Sequence, residues 1–448
     1  MSVKELRTSE HSTRDQLRGP AGRFFGWTLH GDGKTIKRGG VVAPEERLSW
    51  SRTIGIGMQH VVAMFGSTLL VPTLTGFPVN TTLLFSGIGT IIFLLVTCNR
   101  LPSYLGSSFA FIAPLTASQQ HGFAAQLGGI LAAGVLLAVV GIAVSVAGRR
   151  IIDAVMPPAV TGSIVALIGL NLAPSATSNF QAQPLIAAVT LLAILVFTVA
   201  GRGMVARLGI LLGLMVGWVF AFFYGGISEA ARQTVADAQW FGLPHFATPE
   251  FNIAAVTVTL PVVVVLIAEN VGHVKAVATM TGRNLDDLAG PALIADGAST
   301  MLAGSFGGSG TTTYAENIGV MAATRVYSSA AYWVAACTAM VLAFIPKFGA
   351  VILTIPQGVL GGATMVLYGM IGLLGIRIWQ DNNVSLTNPV NLTTASVAMI
   401  AGIGNLTVSV GSIHLEGIAW GSIGVILGYP ILRVLYSKVG EGQYTLPR

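Results

Sequence analysis

Two carboxylates lie deep in apolar sequence. Glu269 sits in Pro261-Val-Val-Val-Val-Leu-Ile-Ala-Glu269-Asn-Val-Gly-His273, and Glu316 sits in Gly310-Thr-Thr-Thr-Tyr314-Ala315-Glu316-Asn317-Ile-Gly319. An ionisable group at bilayer depth is costly, so it normally faces a cavity or a partner and marks a pathway. Glu269 and His273 are spaced i, i+4 and share one helical face, so a cavity that meets one meets the other. Desolvation favours a neutral carboxyl and histidine changes charge near neutrality, which makes the two a plausible proton-handling pair. The competing reading of His273 is a hydrogen-bonded, inert residue near the inner end of its span. Glu316 and Asn317 fall where a short helix would begin. Capping alone would account for them, but capping and ligand binding are compatible.

Other polar positions carry weaker signals. Gln59-His60 is polar where leucine would suffice, and a helix–helix hydrogen bond competes there with a substrate contact. Phe109 and Tyr314 could offer an aromatic face or a hydroxyl to a flat ligand, although aromatics in such sequence usually pack. Asp296 reads as a packing or inner-mouth residue, and Glu416 as interfacial. The sequence has no Walker A loop, no HExxH, no metal-ligand cluster and no local signature of a nucleophilic triad. An ATP motor and an intramembrane enzyme are therefore disfavoured. Coupling to an ion gradient is the economical inference, with no cofactor and no metal.

The elements that must hold these residues are apolar helices. The 448 residues are 53% hydrophobic and 9% charged, against about 25% charged in soluble domains. The chain reads as an all-α polytopic membrane protein. Fifty-five glycines suit close helix packing and interrupted helices. Cys98 and Cys337, both in apolar runs, read as packing residues. The net charge of +6 and the ten Lys or Arg residues before Thr53 read as a cytoplasmic tail beside anionic lipid, not as a nucleic-acid surface. Fourteen spans are expected, near 53–71, 82–98, 107–118, 123–147, 156–173, 184–201, 206–225, 254–276, 291–304, 316–325, 328–345, 350–375, 390–404 and 417–436. With the N-terminus inside, inner loops hold Arg100, Arg149, Arg150, Arg202, Arg207, Lys275, Arg283, Arg325 and Arg377. Outer loops hold only Arg232 and Lys347, so both termini are expected in the cytoplasm.

An internal repeat is also expected. A shift of 210 residues places Gly87 on Gly297, Thr90 on Thr300, Tyr104 on Tyr314 and Gln59 on Glu269. Seven spans per half force the halves into opposite orientations, the inverted-repeat plan of secondary transporters. Spans 3 and 10 are too short to cross alone. Each follows a segment suited to extended structure, Pro102-Ser-Tyr-Leu-Gly106-Ser107-Ser108-Phe109 and Gly307-Gly-Ser-Gly-Thr-Thr-Thr-Tyr314. Half-helices meeting at mid-membrane would present free N–H groups to a ligand. Re-entrant packing without a ligand is the alternative.

Several ordered motifs resemble the nucleobase–ascorbate transporter family. Glu316-Asn317-Ile318-Gly319-Val-Met-Ala-Ala-Thr324-Arg325 resembles its signature (acid or Gln, Asn, any residue, Gly, four residues, Thr, then Arg, Lys or Gly). Gln59-His60 with Ala63-Met64-Phe65-Gly66 resembles its first-span motif. Ser103–Phe111 and Ala268–His273 resemble its third and eighth spans. The resemblance runs from about Arg47 to the last span and is closest to bacterial uracil permeases. Val41–Leu48 and Lys275–Asn284 further resemble the Rut-pathway pyrimidine permeases. Ala315 stands where a uracil-permease relative has Gly, and Asn270 where His is also found.

The resemblance implies tails at 1–52 and 438–448 and an outer loop at 227–253. It implies a core domain at 53–147 and 254–346 (spans 1–4 and 8–11) and a gate domain at 148–226 and 347–437 (spans 5–7 and 12–14). It implies a proton-coupled importer of uracil or a related pyrimidine in the bacterial inner membrane, commonly a homodimer. Substrate-binding roles fall on Glu269, Glu316, Phe109, Tyr314 and Ala315. Proton coupling falls on Glu269, His273 and Glu316, with Gln59, His60, Ser108 and Asn317 in support. A purine permease of the same family, or an anion transporter or channel of related fold, is the alternative.

Overall fold

The computed structural model describes residues 25–36, 40–148, 157–404, 406, 408–410, 413–415 and 417–443. Arg149, Arg150, Glu416 and the outer part of each expected tail lie outside the described residues. A two-residue strand pair, β1 (Thr28–Leu29) and β2 (Glu46–Arg47), leads into α1 (Trp50–Thr75) and α2 (Val79–Val96). Strand β3 (Leu105–Ser107), a 3-10 turn (Phe109–Phe111) and α3 (Ile112–Ala117) follow. Next come α4 (Phe123–Ala147), α5 (Pro158–Asn171), α6 (Ala173–Ala182), α7 (Pro184–Ala200), α8 (Met204–Arg207), α9 (Gly209–Phe223) and α10 (Glu229–Asp237). The second stretch holds α11 (Ile253–Thr259), α12 (Val262–Thr281), α13 (Ala289–Phe306), β4 (Thr311–Thr313), α14 (Ala315–Thr324), α15 (Ser329–Ala343) and α16 (Pro346–Ile352). It ends with α17 (Gln357–Asp381), α18 (Pro389–Ile403), a small pair β5 (Val408–Val410) and β6 (Ile413–Leu415), and α19 (Gly417–Gln443).

Local chemistry sets many of these boundaries. Pro158, Pro184, Pro346 and Pro389 occupy first helical positions, where a missing N–H costs nothing. Gly76, Gly282 and Gly307 close α1, α12 and α13 in the left-handed conformation. Helical structure occupies every apolar segment marked out in the sequence. By length and composition, six helical stretches among the described residues can cross a membrane, or seven if α15 and α16, bent by 88°, form one span. These stretches and the shorter apolar helices α7 and α9 leave Val139, Ile142, Val146, Val199 and Phe223 exposed. Apolar residues in such numbers on an outer surface need lipid against them.

The helices pack in two groups. One joins α1, α2, α4, α13 and α15. The other joins α5, α6, α7, α9, α17, α18 and α19. Glycines bring backbones together in both. A Cβ on Gly134 of α4 would lie 2.9 Å from the Gly297 carbonyl oxygen of α13. One on Gly162 of α5 would lie 2.7 Å from the Gly375 carbonyl oxygen of α17. Without a hydrophobic drive between helices in lipid, this close approach is a main source of helix–helix attraction.

One expectation needs correcting. Cys98 and Cys337 are exposed rather than packed, Cys98 because it sits in a left-handed turn after α2. Residues 40–49, within the N-terminal tail of the sequence reading, dock on the body. Val42 and Leu48 are buried with Val326, because backbone groups at 325–329 offer an unpaired edge that Val42 and Pro44 fill.

Candidate binding site

The site is built where two broken helices meet. Strands β3 and β4 pair antiparallel, with Leu105 opposite Thr313, Gly106 opposite Thr312 and Ser107 opposite Thr311. Backbone bonds from Tyr314 to Tyr104 (3.0 Å) and from Ser108 to Gly310 (3.0 Å) extend the pair at both ends. All six strand residues are buried. Non-helical backbone at this depth is tolerable because each strand satisfies the other and protein covers both. Side chains complete the accounting: Thr90 Oγ1 accepts from the Leu105 amide (2.9 Å) and Thr300 Oγ1 from the Thr311 amide (3.1 Å).

Each strand turns directly into a short helix. Ser108 caps the 3-10 turn, its Oγ accepting from the Ala110 amide at 3.2 Å. Tyr314 is the extended residue before α14, so Ala315, Glu316 and Asn317 form that helix's first turn, where backbone N–H groups lack helical partners. Two glycines allow the crossing. A Cβ on Gly106 would lie 2.5 Å from the Tyr314 ring, and one on Gly310 would collide with the Phe111 ring.

The two carboxylates of the sequence reading come together here. Glu269, on α12, is half-buried, and its Oε2 accepts from Thr312 Oγ1 at 2.9 Å. The Ser108 hydroxyl also faces this carboxyl, and Glu316 lies within electrostatic range of it. Glu316 is likewise half-buried. Phe109 is half-buried between the strand and α3. His273 lies one turn along α12 from Glu269 and is buried. No hydrogen bond joins the two, and the Pro102 carbonyl faces the imidazole.

Tyr314 is turned inward. Its hydroxyl donates to the Ser107 carbonyl (2.7 Å) and accepts from Thr68 Oγ1 (3.0 Å), and its ring packs 6.2 Å from that of Tyr104. These bonds assign the side chain to holding the strand pair. Asn317 is also committed: its amide donates to His60 Nδ1 (3.0 Å) and to the His60 carbonyl (3.2 Å). His60 stacks 4.3 Å from Tyr332, and the half-buried Gln59 precedes it on α1. These contacts tie α1 to the first turn of α14 and so fix where Glu316 starts.

Asp296, read in the sequence as a packing or inner-mouth residue, is a packed one. This α13 carboxyl is fully buried beneath the strand pair, accepting from Asn270 Nδ2 (2.6 Å) and Thr311 Oγ1 (3.0 Å). Ser299 Oγ lies 3.0 Å from Thr311 Oγ1 and can donate to it. The network links the helix carrying Glu269 to the strand leading to Glu316. Asn270, directly beside Glu269, was the available signal: an amide in an apolar helix needs a polar partner. Among the described residues no group of His, Cys, Asp and Glu could hold a metal ion.

Paired strand-and-short-helix segments beside two half-buried carboxyls in an apolar helical body suit a membrane transporter. The fold is similar to that of the transmembrane domain of a cyanobacterium bicarbonate transporter, BicA (TM-score 0.56, 15% identity, covering 84% of this chain and 97% of that one). That likeness speaks to fold alone. Residues 51–411 match the model of a permease family, Xan_ur_permease. The chain is 48% identical to the "Putative pyrimidine permease RutG" of Escherichia coli strain K12 over 90% of this chain and 94% of that one. It is 38% identical to the uracil permease of the same strain over 88% of this chain and 95% of that one. The chain belongs to this permease family, as its nucleobase–ascorbate transporter motifs implied. It is a multi-pass membrane transporter, not an enzyme.

Proposed function

We propose that this protein is a proton-coupled symporter that imports uracil, and related pyrimidines, by alternating access. One observation carries the reading: Glu269 and Glu316, both half-buried, lie within electrostatic range of each other where β4, bonded to Glu269 through Thr312, turns into α14. Uracil is flat and neutral, with two N–H donors and two carbonyl acceptors. The carboxyls accept from the N–H groups, and first-turn backbone N–H groups of α14 donate to a carbonyl. A dry site built this way penalises any analogue that leaves one of its polar groups unpaired. The names of the relatives point to the same substrate class.

Fourteen spans in two inverted halves, with half-helices in spans 3 and 10, account for several parallel features. Under the 210-residue shift α2 falls on α13, and α15 overlaps the first part of α4. Gly87 of α2 packs on Met340 and Ala336 of α15, and Gly297 of α13 packs on Ala138 and Gly134 of α4. The two packing groups support the reading of a core at 53–147 and 254–346 and a gate at 148–226 and 347–437, with α12 touching helices of both. In this scheme the core carries the carboxyls past the gate, and protonation at Glu269, His273 or Glu316 biases its position. The loop arginines favour cytoplasmic termini in a bacterial inner membrane, and a homodimer is the expected assembly.

Substrate competition tests the substrate class. In proteoliposomes, radiolabelled uracil uptake should fall with excess unlabelled uracil and, at higher concentration, with thymine. Xanthine should leave it unchanged. Equal competition by xanthine would contradict a pyrimidine site.

A further inference from the structure

The N-terminal segment ties together the far ends of the two helices that carry the carboxylates. On one side it adds an edge to the chain leaving α14. The Val42 amide donates to the Arg325 carbonyl (2.9 Å), the Tyr327 amide to the Val42 carbonyl (2.8 Å) and the Ser329 amide to the Pro44 carbonyl (3.0 Å). Ser329 Oγ also donates to the Pro44 carbonyl (2.8 Å) and accepts from Trp27 Nε1 (2.8 Å). On the other side, Arg283, just beyond α12, grips Glu45 through both guanidinium nitrogens, at 2.8 and 2.5 Å. Within the segment, Glu46 accepts from the Ala43 amide (2.9 Å) and contacts His30 (2.8 Å), holding the turn that presents Glu45.

The two attachment points are the structural levers of the site. Arg325 lies nine residues beyond Glu316 and Arg283 fourteen beyond Glu269, roughly 14 and 21 Å along their helices at about 1.5 Å per residue. Arg325 is in the left-handed conformation (φ 58°), an unusual state for a residue with a Cβ. The Val42 bridge engages its carbonyl directly.

We propose that residues 40–47 are a positioning strap, which sets the register of α14 against α12 and thereby the spacing of Glu316 and Glu269. Burial opposes ionisation of Glu45, but the Arg283 hydrogen bonds outweigh it and hold the carboxyl below its usual range. The pair is therefore charged at neutral pH. Both partners are 40–45% exposed, so the bridge contributes little to global stability. Its effect is local, on how firmly the α14 end is held.

The test is a charge swap in the full-length protein in nanodiscs, comparing Glu45→Arg, Arg283→Glu and the double variant. Three quantities are read: hydrogen exchange of 315–325, uracil affinity, and the thermal midpoint without ligand. Each single reversal should speed exchange in 315–325 and weaken uracil binding by about tenfold, a common size for coupling between sites. The midpoint should barely move. The double variant should restore both exchange and affinity to within about twofold, since additivity fails only through the pair. Unchanged exchange in the single variants would overturn the strap. So would loss of affinity that tracks a collapse of the midpoint, or failure of the double variant to recover. The affinity arm rests on the uracil reading. The exchange arm needs no substrate, and so decides the strap even if the substrate is not uracil.

Discussion

Glu316→Ala should weaken uracil binding by about 1–3 kcal/mol, roughly 5- to 150-fold in Kd, because a substrate N–H is left facing no acceptor in a dry site. Glu316→Gln should lose less, since the amide keeps one acceptor oxygen. The backbone of α14 is not expected to suffer in either variant. Asn317 holds the first turn through its bonds to His60, and Tyr314 holds the strand before it through Ser107 and Thr68. Isothermal titration in detergent measures the affinity, and the unliganded thermal midpoint checks the fold. If Glu316→Ala bound uracil as tightly as the parent protein, the carboxyl would not be a ligand, and its place in the first turn would be explained by capping alone.

Glu269→Gln should separate binding from coupling. The amide is nearly isosteric, and its oxygen can still accept from Thr312 Oγ1, which now bonds the carboxylate at 2.9 Å. Uracil affinity should stay within about tenfold of the parent, a loss in the range of one hydrogen bond to a charged group. An amide cannot take up a proton, however, so uracil-driven proton uptake should vanish and facilitated, downhill exchange should remain. A pH-sensitive dye trapped in proteoliposomes reads the difference. Retention of uracil-driven acidification by Glu269→Gln would remove this carboxyl from the coupling path. His273, which is buried one turn away and makes no hydrogen bond to Glu269, would then be the next group to replace.

The parts legible in sequence were those governed by local chemistry. Apolar runs marked the helices, and the structure starts several at Pro158, Pro184, Pro346 and Pro389 and ends others at Gly76, Gly282 and Gly307. The threonine run before Glu316 and the Ser-Tyr-Leu-Gly-Ser run before Phe109 marked extended segments, and both are strands. What sequence could not give was the pairing of those strands, which joins residues about 200 positions apart and depends on the whole helical frame. The inward turn of Tyr314 follows from that pairing, since Ser107 and Thr68 become its neighbours only once the strands meet. The bonds that hold Asp296 were out of reach for the same reason. Its partners Asn270 and Thr311 lie on other elements, and a lone acid in an apolar helix does not announce which side of the fold it faces. Residues 40–49 were read as a tail from their charge, because the edge they dock against, 325–329, exists only in the folded protein.

The most direct measurement is uracil uptake into proteoliposomes under an imposed pH gradient, acid outside the compartment being filled. Proton symport predicts transient accumulation of uracil above its external concentration, collapse of that accumulation on adding a protonophore, and accumulation that scales with the gradient. Uracil that only equilibrates, at a rate and extent indifferent to the gradient and the protonophore, would contradict proton-coupled transport by this site.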